Sequence, residues 1–218
     1  RVGIAWSIPG ATPAAAQARV LDELAAALGA LGARVVEVDL PDAANALRAF
    51  ATIQRVEALA VHVGRGLYPA HAAEYGDDVR ARLESARAVT EGDHAAALAE
   101  RRRIVEAWAG LLASVDLLVM PVSAIAPPPV GADRVVHLGQ ERDVRDLVMP
   151  YTVAQNLVGA PSCVVRAGFD DDGLPVGVQL TAAPGEDAVV LACAAELADA
   201  TPDVQAPRAP DPAPTAAA

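Results

Sequence analysis

The chain has 218 residues, 53% of them hydrophobic and 21% charged, which is enough apolar material for one core and excludes a wholly disordered polymer. A net charge of −11 argues against a nucleic-acid or anionic-membrane surface, because phosphates are held by basic patches that release counterions. Aromatics make up only 3% of the residues, so the core has to be aliphatic and small.

Val2 to Trp6 reads as a short buried strand and Ser7 to Thr12 as the loop that leaves it. Thr12 offers an N-cap hydroxyl and Pro13 suits a first helical position. The spacing of Val20, Leu24, Leu28 and Leu31 predicts a helix that Gly32 stops. Arg34 to Val38 is a second strand, so residues 1 to 40 form a βαβ unit with parallel strands. A long helix is predicted over 42 to 67, broken near Gly64, Gly66 and Pro69. Two more follow, over Asp77 to Ala86 and Asp93 to Leu112, the latter amphipathic through Leu98, Ile104, Val105, Trp108 and Leu112.

Leu117 to Met120 is apolar without alternation, as in a central strand covered on both faces. Pro127-Pro128-Pro129 imposes an extended, helix-free connection. Pro150 to Val158 reads as a short helix, and Ser162 to Arg166 and Val176 to Leu180 as two strands. Asp170-Asp171-Asp172-Gly173 joins them, a hairpin turn rather than a calcium loop, because the EF-hand spacing is missing. Pro184-Gly185-Glu186-Asp187 opens a last helix to about Ala198, and a disordered Pro- and Ala-rich tail is expected over 201 to 218.

Cys163 and Cys193 stand apart in apolar surroundings, which suggests buried thiols in a reducing compartment. No apolar run reaches the roughly 18 residues of a membrane span and no signal-peptide pattern opens the chain, so a cytoplasmic protein is expected. The chain opens at Arg1 directly in a strand, which reads as a cut point. Arg101, Arg102 and Arg103, with Glu100 and Glu106 nearby, read as a solvated helix face. His62, His71, His94 and His137 lack metal-ligand spacing, and no Gly-x-Ser-x-Gly elbow surrounds Ser123 that would make Asp116, His137 and Ser123 a triad.

Several ordered segments carry a resemblance. Asp116-Leu117-Leu118-Val119-Met120-Pro121 with its proline-rich exit, Pro150 to Pro161 with its Asn-x-x-Gly-x-Pro block, and Gly173-Leu174-Pro175-Val176-Gly177-Val178-Gln179-Leu180 together resemble the amidase-signature family. The resemblance covers roughly residues 1 to 200. It implies an α/β fold, a mixed and mostly parallel sheet flanked by helices, of which this chain is the C-terminal portion.

The same resemblance implies a Ser-Ser-Lys triad that hydrolyses a carboxylic amide through a serine acyl-enzyme, with no cofactor or metal. That chemistry needs an unprotonated lysine as base and backbone donors for the oxyanion. All seventeen basic residues here are arginines, which stay protonated, and Ser7, Ser85, Ser114, Ser123 and Ser162 are isolated. The triad is therefore expected in a missing N-terminal half, which would be this chain's partner along with a small amide substrate. The open alternatives are a non-catalytic binding or assembly subunit paired with a separate triad-bearing chain, and a stand-alone α/β binding protein, whose first loop here lacks the Gly-x-Gly-x-x-Gly fingerprint; a homodimer is a further partner expectation.

By the resemblance Met149, Thr152 and Val153, with Tyr151 beside them, line a substrate pocket. An equally simple reading makes Met149, Tyr151 and Val153 core residues and Thr152 a helix cap. Asn156 is expected to be a buried structural amide.

Overall fold

The computed structural model describes residues 1–200. The tail expected from 201 onward lies outside the described residues. Strand β1 (Val2–Ile4), helix α1 (Ala15–Ala30) and strand β2 (Val35–Glu37) form the predicted unit, with β1 and β2 parallel. Two local expectations fail here. Helix α1 starts at Ala15 without a side-chain cap, so Thr12 is not its N-cap. Tertiary bonds override the local one: the Ala14 N–H donates to the Ala124 carbonyl at 2.7 Å, and the Thr12 carbonyl lies 2.7 Å from His137 Nε2. Leu31 is 82% exposed rather than on the apolar stripe, because α1 has ended at Ala30 and Gly32 turns the chain at φ +95°.

Helices α2 (Ala43–Gly64), α3 (Asp77–Ala86) and α4 (Glu91–Ala113) follow, close to their predicted bounds. At the start of α4, Thr90 accepts from the Asp93 N–H while the Asp93 carboxylate accepts from the Thr90 N–H, a reciprocal capping box. The Thr90 side chain and then its backbone hold the Asp93 carboxyl below its ordinary range. A depressed acid stabilises the fold above its unfolded value, near 4, and that contribution disappears as pH falls through the folded value. Thr90→Ala is therefore expected to lower the thermal midpoint by a few degrees at pH 7. Thermal melts should show the gap from the parent chain narrowing as the buffer is taken below about pH 3.

Strand β3 (Leu117–Pro121) is buried at every residue. A hairpin of β4 (Arg134–His137) and β5 (Gln140–Asp143) and the short helix α5 (Val144–Val148) then fill a stretch in which the sequence predicts no element. Helix α6 (Pro150–Val158), strands β6 (Ser162–Phe169) and β7 (Pro175–Thr181), and helix α7 (Asp187–Ala200) complete the described chain. The Asp170–Gly173 turn is a hairpin connection: the Asp170 carboxylate accepts from the Asp172 and Leu174 N–H groups, and Gly173 takes φ +79°.

The sheet order is β2-β1-β3-β7-β6. Strand β1 is parallel to both its neighbours and β7 antiparallel to both of its own, so the sheet is mixed in equal parts. One face carries Val2, Ile4, Val119, Val178 and Leu180 against Leu21 and Leu24 of α1 and Val190 and Ala194 of α7. The other carries Leu118 and Met120 against α2, α4 and α6. Burial of these two apolar layers drives the three-layer arrangement.

Candidate functional site

The parallel strands β1 and β3 end on the same side of the sheet, the side on which open α/β sheets place their ligands. The loop leaving β1 is pinned there by three distant residues. Tyr151 donates its hydroxyl to the Ala11 carbonyl, His137 bonds the Thr12 carbonyl, and Arg142 donates to the Gly10 carbonyl at 2.9 Å. The β4–β5 hairpin and α5 thus exist to hold this corner, and Ala124 after β3 donates to the Leu147 carbonyl at 2.9 Å. A cavity of about 180 Å³ opens beside it, lined by Gln17, Ser123, Ile125, Val148 and Gly177 among others.

The four predicted pocket residues gather at the start of α6 but divide by burial. Tyr151 and Val153 are 0% and 1% exposed and belong to the core layer, while Met149 and Thr152 are half-buried. Burial pushes the Tyr151 phenol well above the ordinary tyrosine value, with a smaller opposing effect from the Ile8 backbone, so it stays a neutral donor. The Thr152 hydroxyl lies 3.4 Å from the Met149 carbonyl, and α6 has no side-chain cap. Met149, Thr152 and Asn156 follow one another at helical spacing along the less buried side of α6.

Asn156 is exposed, contrary to expectation; the buried amide of this helix is its neighbour Gln155, which a turn of 100° per residue carries to the inner face. Asn156 instead lines a second cavity of about 440 Å³ with Gln54, Glu57, His62 and Arg101. Arg101 reaches the Leu157 carbonyl in the last turn of α6 at 2.8 Å, where a cation opposes the helix dipole, and Arg103 pairs with Glu100. Both cysteines are half-buried and free rather than buried, since Cys163 sits on the outermost strand and Cys193 on the helix covering it.

Ser123 is not activated. Its hydroxyl donates to the Ile125 carbonyl and accepts from the Ile125 N–H, His137 is engaged elsewhere, and Asp116 lies at the opposite end of β3, about 20 Å away along the strand. No three metal-ligating side chains converge among the described residues. What the sequence reading missed are buried amides. Gln17 lines the first cavity with its Oε1 unpartnered among the described residues, and Gln179 donates to the Tyr151 carbonyl at 3.0 Å. Gln179 closes the Gly-Leu-Pro-Val-Gly-x-Gln segment, so this one bond ties the strand β7 motif to the α6 motif.

The same fold recurs in known proteins. The family model described as Amidase matches residues 1–191. The chain belongs to the amidase family. A fatty acid amide hydrolase of Arabidopsis thaliana is 30% identical over 130 residues, which cover 60% of this chain and 21% of the plant protein. A putative amidase of Mycobacterium tuberculosis, AmiA2, is 40% identical over 84 residues, covering 38% of this chain and 17% of the relative. A solved amidase structure superposes with a TM-score of 0.81 at 29% identity, covering 90% of this chain and 45% of that one. A 6-aminohexanoate cyclic dimer hydrolase does so at 0.71 and 28%, covering 93% and 45%. This amidase chain therefore spans less than half the length of the solved structures it matches. Among its described residues no helix is long and apolar enough to cross a membrane.

Proposed function

We propose that the chain is the C-terminal part of a cytoplasmic amidase that cleaves a carboxylic amide through a serine acyl-enzyme, and that the Ser-Ser-Lys triad lies outside it. The observation that carries this reading is a family match across 191 residues in a chain without a single lysine. A triad base has to lose its proton near neutral pH, which none of these arginines can do. In the reaction a serine oxygen attacks the amide carbonyl, the amine leaves with a proton, and water then hydrolyses the ester.

This chain contributes the sheet, its covering helices and one wall of the pocket. Met149 and Thr152 present the wall surface, and Tyr151 and Val153 fix it from the core side. A small panel of aliphatic and aryl amides tests the reading, with a serine-directed fluorophosphonate probe run in parallel. The chain alone is expected to show no turnover and no labelled serine, and both are expected once the triad-bearing part is supplied. Turnover with a labelled serine in the isolated chain would overturn the assignment and point to Ser123.

A further inference from the structure

We infer that the amidase prefers amides whose acyl arm ends in a carboxylate, read by Arg55, Arg82 and Arg145; this names a substrate class for the wall described above and rests on the amidase reading. A cavity of about 440 Å³ opens between α2, α3 and α5. The three arginines line it, one from each helix, with Gln54, His62 and Ser85 as further polar groups. None of its lining residues is acidic, in a chain whose net charge is −11. The cavity beside Asn156 is of the other kind, since Glu57 there offsets Arg101.

Three guanidiniums around one hollow repel one another unless an anion sits among them. Those of Arg55 and Arg145 make no hydrogen bond or ion pair among the described residues, and that of Arg82 is held only loosely, by Asp78 at 3.8 Å. By contrast, Arg19, Arg80 and Arg103 are taken up by carboxylates and Arg142 by a carbonyl. The planar guanidinium fork matches a carboxylate. Ala51, Ala58, Val79 and Leu83 line the rest of the hollow, which suits an apolar stem behind the charge rather than a fully hydrated ion.

The place of the cavity ties it to the pocket wall. The backbone passes through Met149 in helical conformation, at φ −58° and ψ −38°, so Arg145, Met149, Thr152 and Asn156 form one stripe at helical spacing. Arg145 at one end borders this cavity, Asn156 at the other borders the second, and Gln54, Ala58 and His62 of α2 line both. The two hollows are thus the ends of one trough along α2, with Met149 and Thr152 between them. Arg145 lies about 6 Å along the helix from Met149. An amide held against Met149 and Thr152 therefore has a cluster of cations within reach of a short acyl arm.

The test is hydrolysis by the assembled amidase, this chain joined to its triad-bearing part, of hexanamide and of adipamate, the same amide with a terminal carboxylate. The kcat/KM value is expected to be about tenfold or more higher for adipamate, and the gain to lie in KM, because a charge-assisted bond away from the reacting centre holds ground and transition states alike. Arg55→Gln and Arg145→Gln are each expected to bring the ratio towards one, Arg145→Lys to restore part of it, and Arg34→Gln beside β2 to leave it unchanged. Added salt should lower the ratio as well, since the three arginines are solvent-exposed. Hydrolysis of hexanamide with no preference for adipamate would overturn the anionic arm alone, as would a preference that both glutamine variants keep. Calorimetric binding of adipamate that Arg145→Gln abolishes, with neither amide hydrolysed, would overturn the amidase reading and leave the carboxylate site standing. Inorganic phosphate that binds at these arginines without raising KM for adipamate would make the cavity a separate anion site and overturn the proposal.

Discussion

Replacing Tyr151 by alanine is expected to destabilise the fold by about 3–5 kcal/mol, the usual range for deleting a buried aromatic side chain. The ring is wholly buried, and its loss opens a cavity between α6 and the core layer. The same change removes the hydroxyl that holds the Ala11 carbonyl, so the loop leaving β1 is released at its centre. Tyr151→Phe separates the two effects. It keeps the ring and leaves the carbonyl without its donor, at about 1–3 kcal/mol. Urea denaturation of both variants checks the ordering, and a phenylalanine variant as unstable as the alanine one would show that the hydrogen bond outweighs the packing. Against a typical total of about 5–15 kcal/mol, the alanine variant stands near the limit of folding.

Trp108→Ala is expected to cost about as much, roughly 3–5 kcal/mol. Trp108 is 0% exposed on α4, within the same core layer as Ile104 and Leu112, and its indole N–H donates to the Pro41 carbonyl at 3.2 Å. That bond ties α4 to the start of α2, so its loss loosens two helices at once. Val105→Ala is the control. Val105 is 36% exposed, and a change there is expected to stay within about 0.5 kcal/mol. Equal losses at the two positions, measured by the same denaturation, would refute this account of the α4 core.

The contrast between Trp108 and Val105 also shows how far the sequence could be read. Periodicity placed both on the apolar side of one helix, because a 3.6-residue repeat marks a stripe about 100° wide without marking its centre. The β4–β5 hairpin escaped for a different reason. Its turn is Leu138-Gly139 with φ values of +48° and +77°, and leucine is not a residue that advertises a left-handed backbone. Thr12 had every local mark of a helix cap and lost to bonds with Ala124 and His137, residues more than a hundred positions away. On α6 the sequence misjudged the helix faces by one residue, taking Asn156 for the buried amide in place of Gln155.

The family, the order of the main helices and the central place of β3 were written in the sequence alone, because they follow from apolar spacing, turn chemistry and motifs that are local in the chain. The absence of any lysine, and with it the place of the triad base outside this chain in the proposed mechanism, is likewise a property of composition. Only the tertiary structure decided that Tyr151 and Val153 face inward while Met149 and Thr152 reach the surface, that Gln179 joins the two motif segments, and that β2 and β6 end the sheet among the described residues. Those outcomes depend on which distant backbone groups come within hydrogen-bond reach and which strand ends the sheet. A local pattern carries neither.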